Sequence, residues 1–133
     1  MISTDLTSFL ASHPFIEVLS LTCIQIDGFL VLPAGALPYL KRLSTDAESM
    51  LAHSILGSTT SIPRPLEYIM GPRLNDAFLD RLEQSLSGPS LKKLTTVCSD
   101  DLNHLITRLS GIAPNLEWLD TGFHNINLQT VSI

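Results

Sequence analysis

Five copies of one short pattern divide the chain at near-constant intervals, and no other feature limits its fold as strongly. Each copy carries a Pro, then an aliphatic residue, then usually a charged residue, with a second aliphatic three positions after the first. The copies are Pro14-Phe15-Ile16-Glu17-Val18-Leu19, Pro38-Tyr39-Leu40-Lys41-Arg42-Leu43, the looser Arg64-Pro65-Leu66-Glu67-Tyr68-Ile69, Pro89-Ser90-Leu91-Lys92-Lys93-Leu94 and Pro114-Asn115-Leu116-Glu117-Trp118-Leu119. The first aliphatic stands at 16, 40, 66, 91 and 116, in steps of 24, 26, 25 and 25. A fixed period of this length marks a repeat architecture, in which each unit is one supersecondary element.

Helical patterns fill the intervals. Asp46 to Leu56 sets Met50, Leu51 and Ile55 on one face and ends at Gly57, a suitable C-cap. Asn75 to Leu86 spaces Phe78, Leu79, Leu82 and Leu86 helically and stops before Gly88-Pro89. Ser99-Asp100-Asp101 offers N-cap oxygens to a helix carrying Leu102, Leu105, Ile106 and Leu109, ending at Gly111. Asp5 to Ala11 reads as the helix before the first strand. Asp27 to Ala36, interrupted by Gly28, Pro33 and Gly35, predicts a short turn of helix, and Ser58 to Pro65 predicts a loop.

One strand and one helix cannot bury an apolar face alone, so neighbouring units must stack. The expected class is α/β: a solenoid with a parallel sheet of about five short strands and helices on the opposite face. The Pro ahead of each strand cannot continue a helix and should force an extended entry. Ile16, Leu19 and Leu21 should point inward, with Leu40 and Leu43, Leu66 and Ile69, Leu91 and Leu94, and Leu116 and Leu119 as their equivalents.

The same register predicts the surface. The residue after the first aliphatic reads Glu17, Lys41, Glu67, Lys92, Glu117, a ladder of alternating sign. The outward flanks of the core Leu read Val18 and Ser20, Arg42 and Ser44, Tyr68 and Met70, Lys93 and Thr95, Trp118 and Asp120. Aromatic, basic and apolar groups mixed in this way suit a protein-recognition face. The candidate binding residues are Arg42, Tyr68, Met70, Lys93, Trp118 and Asp120, with Arg42, Tyr68 and Trp118 as candidate hot spots. Cys23 and Cys98 occupy equivalent places three repeats apart, roughly 14 Å at one strand spacing per repeat, which no disulfide spans.

Composition narrows the partner class. The net charge is -5 with 8 Lys+Arg among 133 residues, so neither a basic stripe for nucleic acid nor a polybasic membrane patch is expected. Charged residues are 16% against 44% hydrophobic, a low share that suggests surface covered by a partner or by more of the same chain. The longest apolar run, Gly28 to Leu32, is far shorter than the roughly 20 residues of a bilayer span. With no signal-peptide pattern and only two cysteines, an intracellular compartment is the expectation. Phosphate loops, nucleophile elbows and paired-His zinc motifs are missing. His13, His53, His104 and His124 are scattered, and His104, near Asp100 and Asp101, reads as structural. No catalytic residue, metal or cofactor is expected.

The period and Leu spacing resemble leucine-rich repeats. Pro89-Ser90-Leu91-Lys92-Lys93-Leu94 and Pro114-Asn115-Leu116-Glu117-Trp118-Leu119 resemble the repeats of fungal F-box-like proteins, as Leu74-Asn75-Asp76-Ala77-Phe78-Leu79 resembles a helix start common there. The likeness covers Leu6 to Gly122 and implies the substrate-recognition arm of a ubiquitin ligase, the adaptor being held by a separate F-box. The chain departs from that family in showing no F-box segment and no Asn ladder, whose places hold Ile24, Glu48, Leu74, Ser99 and His124. Polar caps are also missing, and Thr121 to Ile133 reads as the start of a further repeat. Residues 1–133 are therefore expected to form a single, incomplete domain. The expected function is protein binding; the alternative is a truncated repeat fragment without independent function, self-associating through uncapped ends.

Overall fold

The computed structural model describes residues 3–22, 31–33, 35–46, 51–57, 63–97, 102–122 and 125–127. In chain order the elements are α1 (Ser3–Ala11), β1 (Val18–Leu21), β2 (Arg42–Thr45), α2 (Leu51–Gly57), β3 (Tyr68–Arg73), α3 (Asp76–Gln84), β4 (Lys93–Val97), α4 (Leu102–Ile112), β5 (Trp118–Asp120) and β6 (Asn125–Asn127). The strands form one open sheet in sequential order, β1 to β5 parallel and β6 antiparallel to β5. Parallel neighbours need a long crossover, and α2, α3 and α4 supply it between β2 and β3, β3 and β4, and β4 and β5.

The repeat spacing and the strand register coincide. Leu19 pairs with Leu43, Leu43 with Ile69, Ile69 with Leu94 and Leu94 with Leu119. All five are buried, as are Leu40, Leu66, Leu91 and Leu116 one turn earlier, whereas Ile16 is only half-buried. These side chains share one core with Leu6 and Leu10 of α1, Ile55 and Leu56 of α2, Phe78, Leu79 and Leu82 of α3, and Leu105 and Leu109 of α4. The helices thus cover one face of the sheet and leave the other open. Asn75 caps α3 by accepting from the Phe78 N–H at 2.8 Å.

Three local features bear on the expected connections. The Pro residues close turns before the chain extends. The N–H of Ile16, Leu40, Leu91 and Leu116 donates to the carbonyl of His13, Leu37, Gly88 and Ala113 at 3.1–3.4 Å, with Pro second in each turn. Its fixed φ suits that position. Of Asp27 to Ala36, residues 27–30 and 34 lie outside the described residues, and the rest shows a turn in which the Ala36 N–H donates to Pro33 at 3.1 Å. Third, the described part of the tail departs from the parallel order of the sheet. The chain reverses at Gly122, φ +86°, and β6 returns along β5, Ile126 opposite Leu119. The loop expected from Ser58, and both Cys23 and Cys98, lie wholly or partly outside the described residues.

Three places before the positions of an Asn ladder, the interior carries a row that is polar in three of five copies. Positions 21, 45, 71, 96 and 121 hold Leu21, Thr45, Gly71, Thr96 and Thr121, and the three threonines are buried. Thr96 donates from its hydroxyl to the Asp120 carbonyl at 3.4 Å, while Thr45 Oγ1 has no hydrogen-bond partner among the described residues. Gly71 sits at an irregularity of β3 between Met70 and Arg73.

Candidate protein-binding face

Two consecutive residues of each copy point outward because the strand entry is bent between its two inward aliphatics. One carbonyl per copy holds that bend by accepting twice from the next copy. Glu17 accepts from the N–H of Lys41 and Arg42 at 2.7 and 3.0 Å, and Lys41 from Glu67 and Tyr68 at 2.8 and 3.1 Å. Glu67 accepts from Lys92 and Lys93 at 2.9 and 3.0 Å, and Lys92 from Glu117 and Trp118 at 2.8 and 3.1 Å. Both lone pairs of each carbonyl are used, so the two outward rows are fixed by backbone rather than by side chains.

The first row is the charge ladder. Lys41 Nζ lies 3.2 Å from Glu17 Oε1, while Glu67, Lys92 and Glu117 keep the alternating order without closing to an ion pair among the described residues. The second row pairs Val18 with Arg42, Arg42 with Tyr68, Tyr68 with Lys93 and Lys93 with Trp118. Here the structure brings together four of the six candidates. Arg42, Lys93 and Trp118 are exposed and Tyr68 is half-buried. The two rows enclose a cleft of about 240 Å³ lined by Arg42, Glu67, Tyr68, Lys92, Lys93 and Glu117.

The remaining candidates lie farther along the strands. Met70 is exposed, opposite Ser44 and Thr95, and its sulfur is 3.7 Å from the Tyr68 hydroxyl. That hydroxyl also lies 3.3 Å from Thr95 Oγ1, so Thr95 orients the aromatic ring, a role its place in the repeat did not single out. Asp120 is only half-exposed, and its Oδ1 accepts from the Gly122 N–H at 2.8 Å. Its carboxylate shapes the β5–β6 turn.

The helical side carries a second feature. Arg108 Nη1 donates to Asp76 Oδ1 and Nη2 to Asp80 Oδ1, both at 2.9 Å, and Glu83 Oε2 lies 3.5 Å away. His104 Nε2 is 3.1 Å from Asp76 Oδ1, so this histidine reaches the preceding helix. The hydrogen bonds from Arg108 and His104 pull the Asp76 pKa below the ordinary carboxylate value. Beside this network Leu82, Leu86, Pro89 and Ile112 line a groove of about 520 Å³. Its residues come from the ends of α3 and α4, and only the finished register brings them together.

Among the described residues, no group of three or more His, Cys, Asp or Glu side chains could hold a metal ion. No described helix is long and apolar enough to cross a membrane. No family model, no curated protein and no solved structure matches the chain.

Proposed function

We propose that this chain is a leucine-rich-repeat solenoid that binds an extended segment of a protein partner on its open sheet face and does no chemistry. The observation that carries the reading is the unbroken outward row Val18, Arg42, Tyr68, Lys93, Trp118 across five parallel strands. Aromatic side chains and Arg are the residue types that concentrate binding energy in interfaces, and here they stand on a backbone-fixed frame. The resemblance to F-box-like repeats would make the partner a ubiquitination substrate. A display selection of random peptides tests the binding role. Retained peptides should be lost when Tyr68→Ala and Trp118→Ala are combined, while the thermal unfolding midpoint stays near that of the parent. Retention that survives the double substitution would overturn the assignment of this face.

A second reading, self-association at the β1 end, is favoured by one observation. Phe15 and Val18 are 76% and 64% exposed there, and the outer side of β1 has no neighbouring strand among the described residues. An unpaired strand edge templates pairing with another chain. Sedimentation that stays monomeric across a wide concentration range would sink this reading.

A further inference from the structure

We propose that the partner segment carries a carboxylate that lodges over Tyr68 between Arg42 and Lys93, with apolar side chains about three residues away on either side. This rests on reading the sheet face as a peptide-binding surface. Arg42 and Lys93 pair with Tyr68 from opposite sides in the sheet, so their backbones stand about 9.6 Å apart at two strand spacings. Both are exposed, and neither side chain makes an ion pair among the described residues. Lys41, one position earlier, has Glu17 as its counter-ion. Arg42 and Lys93 therefore flank the ring as like charges that hold no ion pair of their own among the described residues, and an anion placed between them gains two charge-assisted contacts.

Tyr68 adds a third donor. The phenolic proton is held only by the weak acceptor Met70 Sδ at 3.7 Å, so with Thr95 donating to the Tyr68 oxygen across 3.3 Å an incoming carboxylate oxygen displaces the sulfur as its acceptor. Glu67 and Glu117 line the same cleft, and together with the net charge of -5 they repel an extended polyanion. One isolated carboxylate is the anion that fits. Beyond the cations stand Val18, paired with Arg42, and Trp118, paired with Lys93. Each lies about 9.6 Å from Tyr68, the reach of roughly three extended residues.

The test is to pan random displayed heptapeptides on the parent protein and on Arg42→Glu/Lys93→Glu. Supporting results are a parent pool enriched in Asp or Glu at one fixed position and a variant pool enriched there in Lys or Arg. The parent consensus is then synthesised with Glu, Gln or phosphoserine at that position and titrated by fluorescence anisotropy. Glu should bind roughly tenfold tighter than Gln, the worth of one charge-assisted hydrogen bond. Phosphoserine binding more tightly than Glu would overturn the choice of a carboxylate. A parent pool that depends on Tyr68 and Trp118 but shows no acidic preference overturns this inference and leaves the binding face standing. A selection yielding no peptide dependent on Trp118 overturns both.

Discussion

The guanidinium of Arg64, only 2% exposed, donates from Nε and Nη2 to the Ala36 carbonyl at 3.2 and 2.8 Å. Arg64 stands where the other copies place the turn Pro, and its side chain ties this strand entry, which has no such turn, to the preceding copy. Other neighbouring turns are tied differently: Phe15 stacks on Tyr39 at 5.7 Å, Ser90 Oγ donates to Leu66 at 2.6 Å, and Asn115 Nδ2 donates to Pro89 at 2.8 Å. Burial lowers the Arg64 pKa, so the forked hydrogen bond offsets part of a desolvation cost. Arg64→Ala should lose about 2–4 kcal/mol by leaving a cavity and an orphaned carbonyl. Arg64→Lys keeps the charge but not the fork, so its loss should be smaller yet measurable. Urea unfolding reads both, and an alanine variant as stable as the parent would show that the strand entry stands without this tie.

Gly71 and Gly111 should respond oppositely to alanine. At Gly71 φ is +109°, and a Cβ there would lie 1.6 Å from the Thr45 carbonyl oxygen. Neither backbone can yield without breaking the β2–β3 pairing, so Gly71→Ala should cost about 3 kcal/mol or more. Gly111 is inside α4 with nothing within 4 Å of its would-be Cβ. Gly111→Ala should stabilise by roughly 0.5–1 kcal/mol, from the lower chain entropy lost on folding. Paired denaturant curves check the contrast.

The sequence pattern was most informative where spacing alone decides. Aliphatic residues in steps of 24 to 26 set both the core and the pairing of Arg42 with Tyr68 and Tyr68 with Lys93. The threonine row was hidden because Thr suits a strand on either face, and nothing in the spelling marks Thr45, Thr96 and Thr121 as interior. The reversal into β6 was hidden because Asn125–Asn127 carries no copy of the repeat pattern. Asp76, Arg108 and His104 meet only because α3 and α4 lie side by side. The nearness of His104 to Asp100 and Asp101 in sequence therefore gives no sign of its partner on α3.

Acid should destabilise the fold in two separate windows. His53 packs edge-on to Phe78 at 6.2 Å, and burial, followed by the charge of Arg81, lowers its pKa below 6.5. The unfolded chain then takes up the proton first, so stability is full above the unfolded value and falls as pH drops through it. His53→Gln should flatten the change in urea midpoint between about pH 7.5 and pH 5. Asp76 contributes stability above the ordinary carboxylate value of 3.8 that is lost as pH falls below it toward its depressed folded value. Asp76→Asn should therefore leave the His53 window intact. A parent whose midpoint is flat from neutral pH to pH 5 would contradict the His53 assignment.

Leu37 and Leu86 share a backbone strain and differ in what their side chains return for it. Both take positive φ, 54° and 58°, a conformation costing a non-glycine residue roughly 1–2 kcal/mol. Leu86 follows the Ser85 cap of α3, where glycine usually stands, and 58% of it is exposed. Leu86→Gly should relieve the strain and forfeit little burial, raising stability by up to about 1 kcal/mol. Leu37 is 1% exposed within the core. There the apolar burial outweighs the strain, and Leu37→Gly should cost about 2–4 kcal/mol despite the better backbone fit. Opposite shifts of the urea midpoint check the pair. Destabilisation by Leu86→Gly comparable to that of Leu37→Gly would mean that Leu82, Pro89 and Ile112 hold the Leu86 side chain far more firmly than its exposure implies.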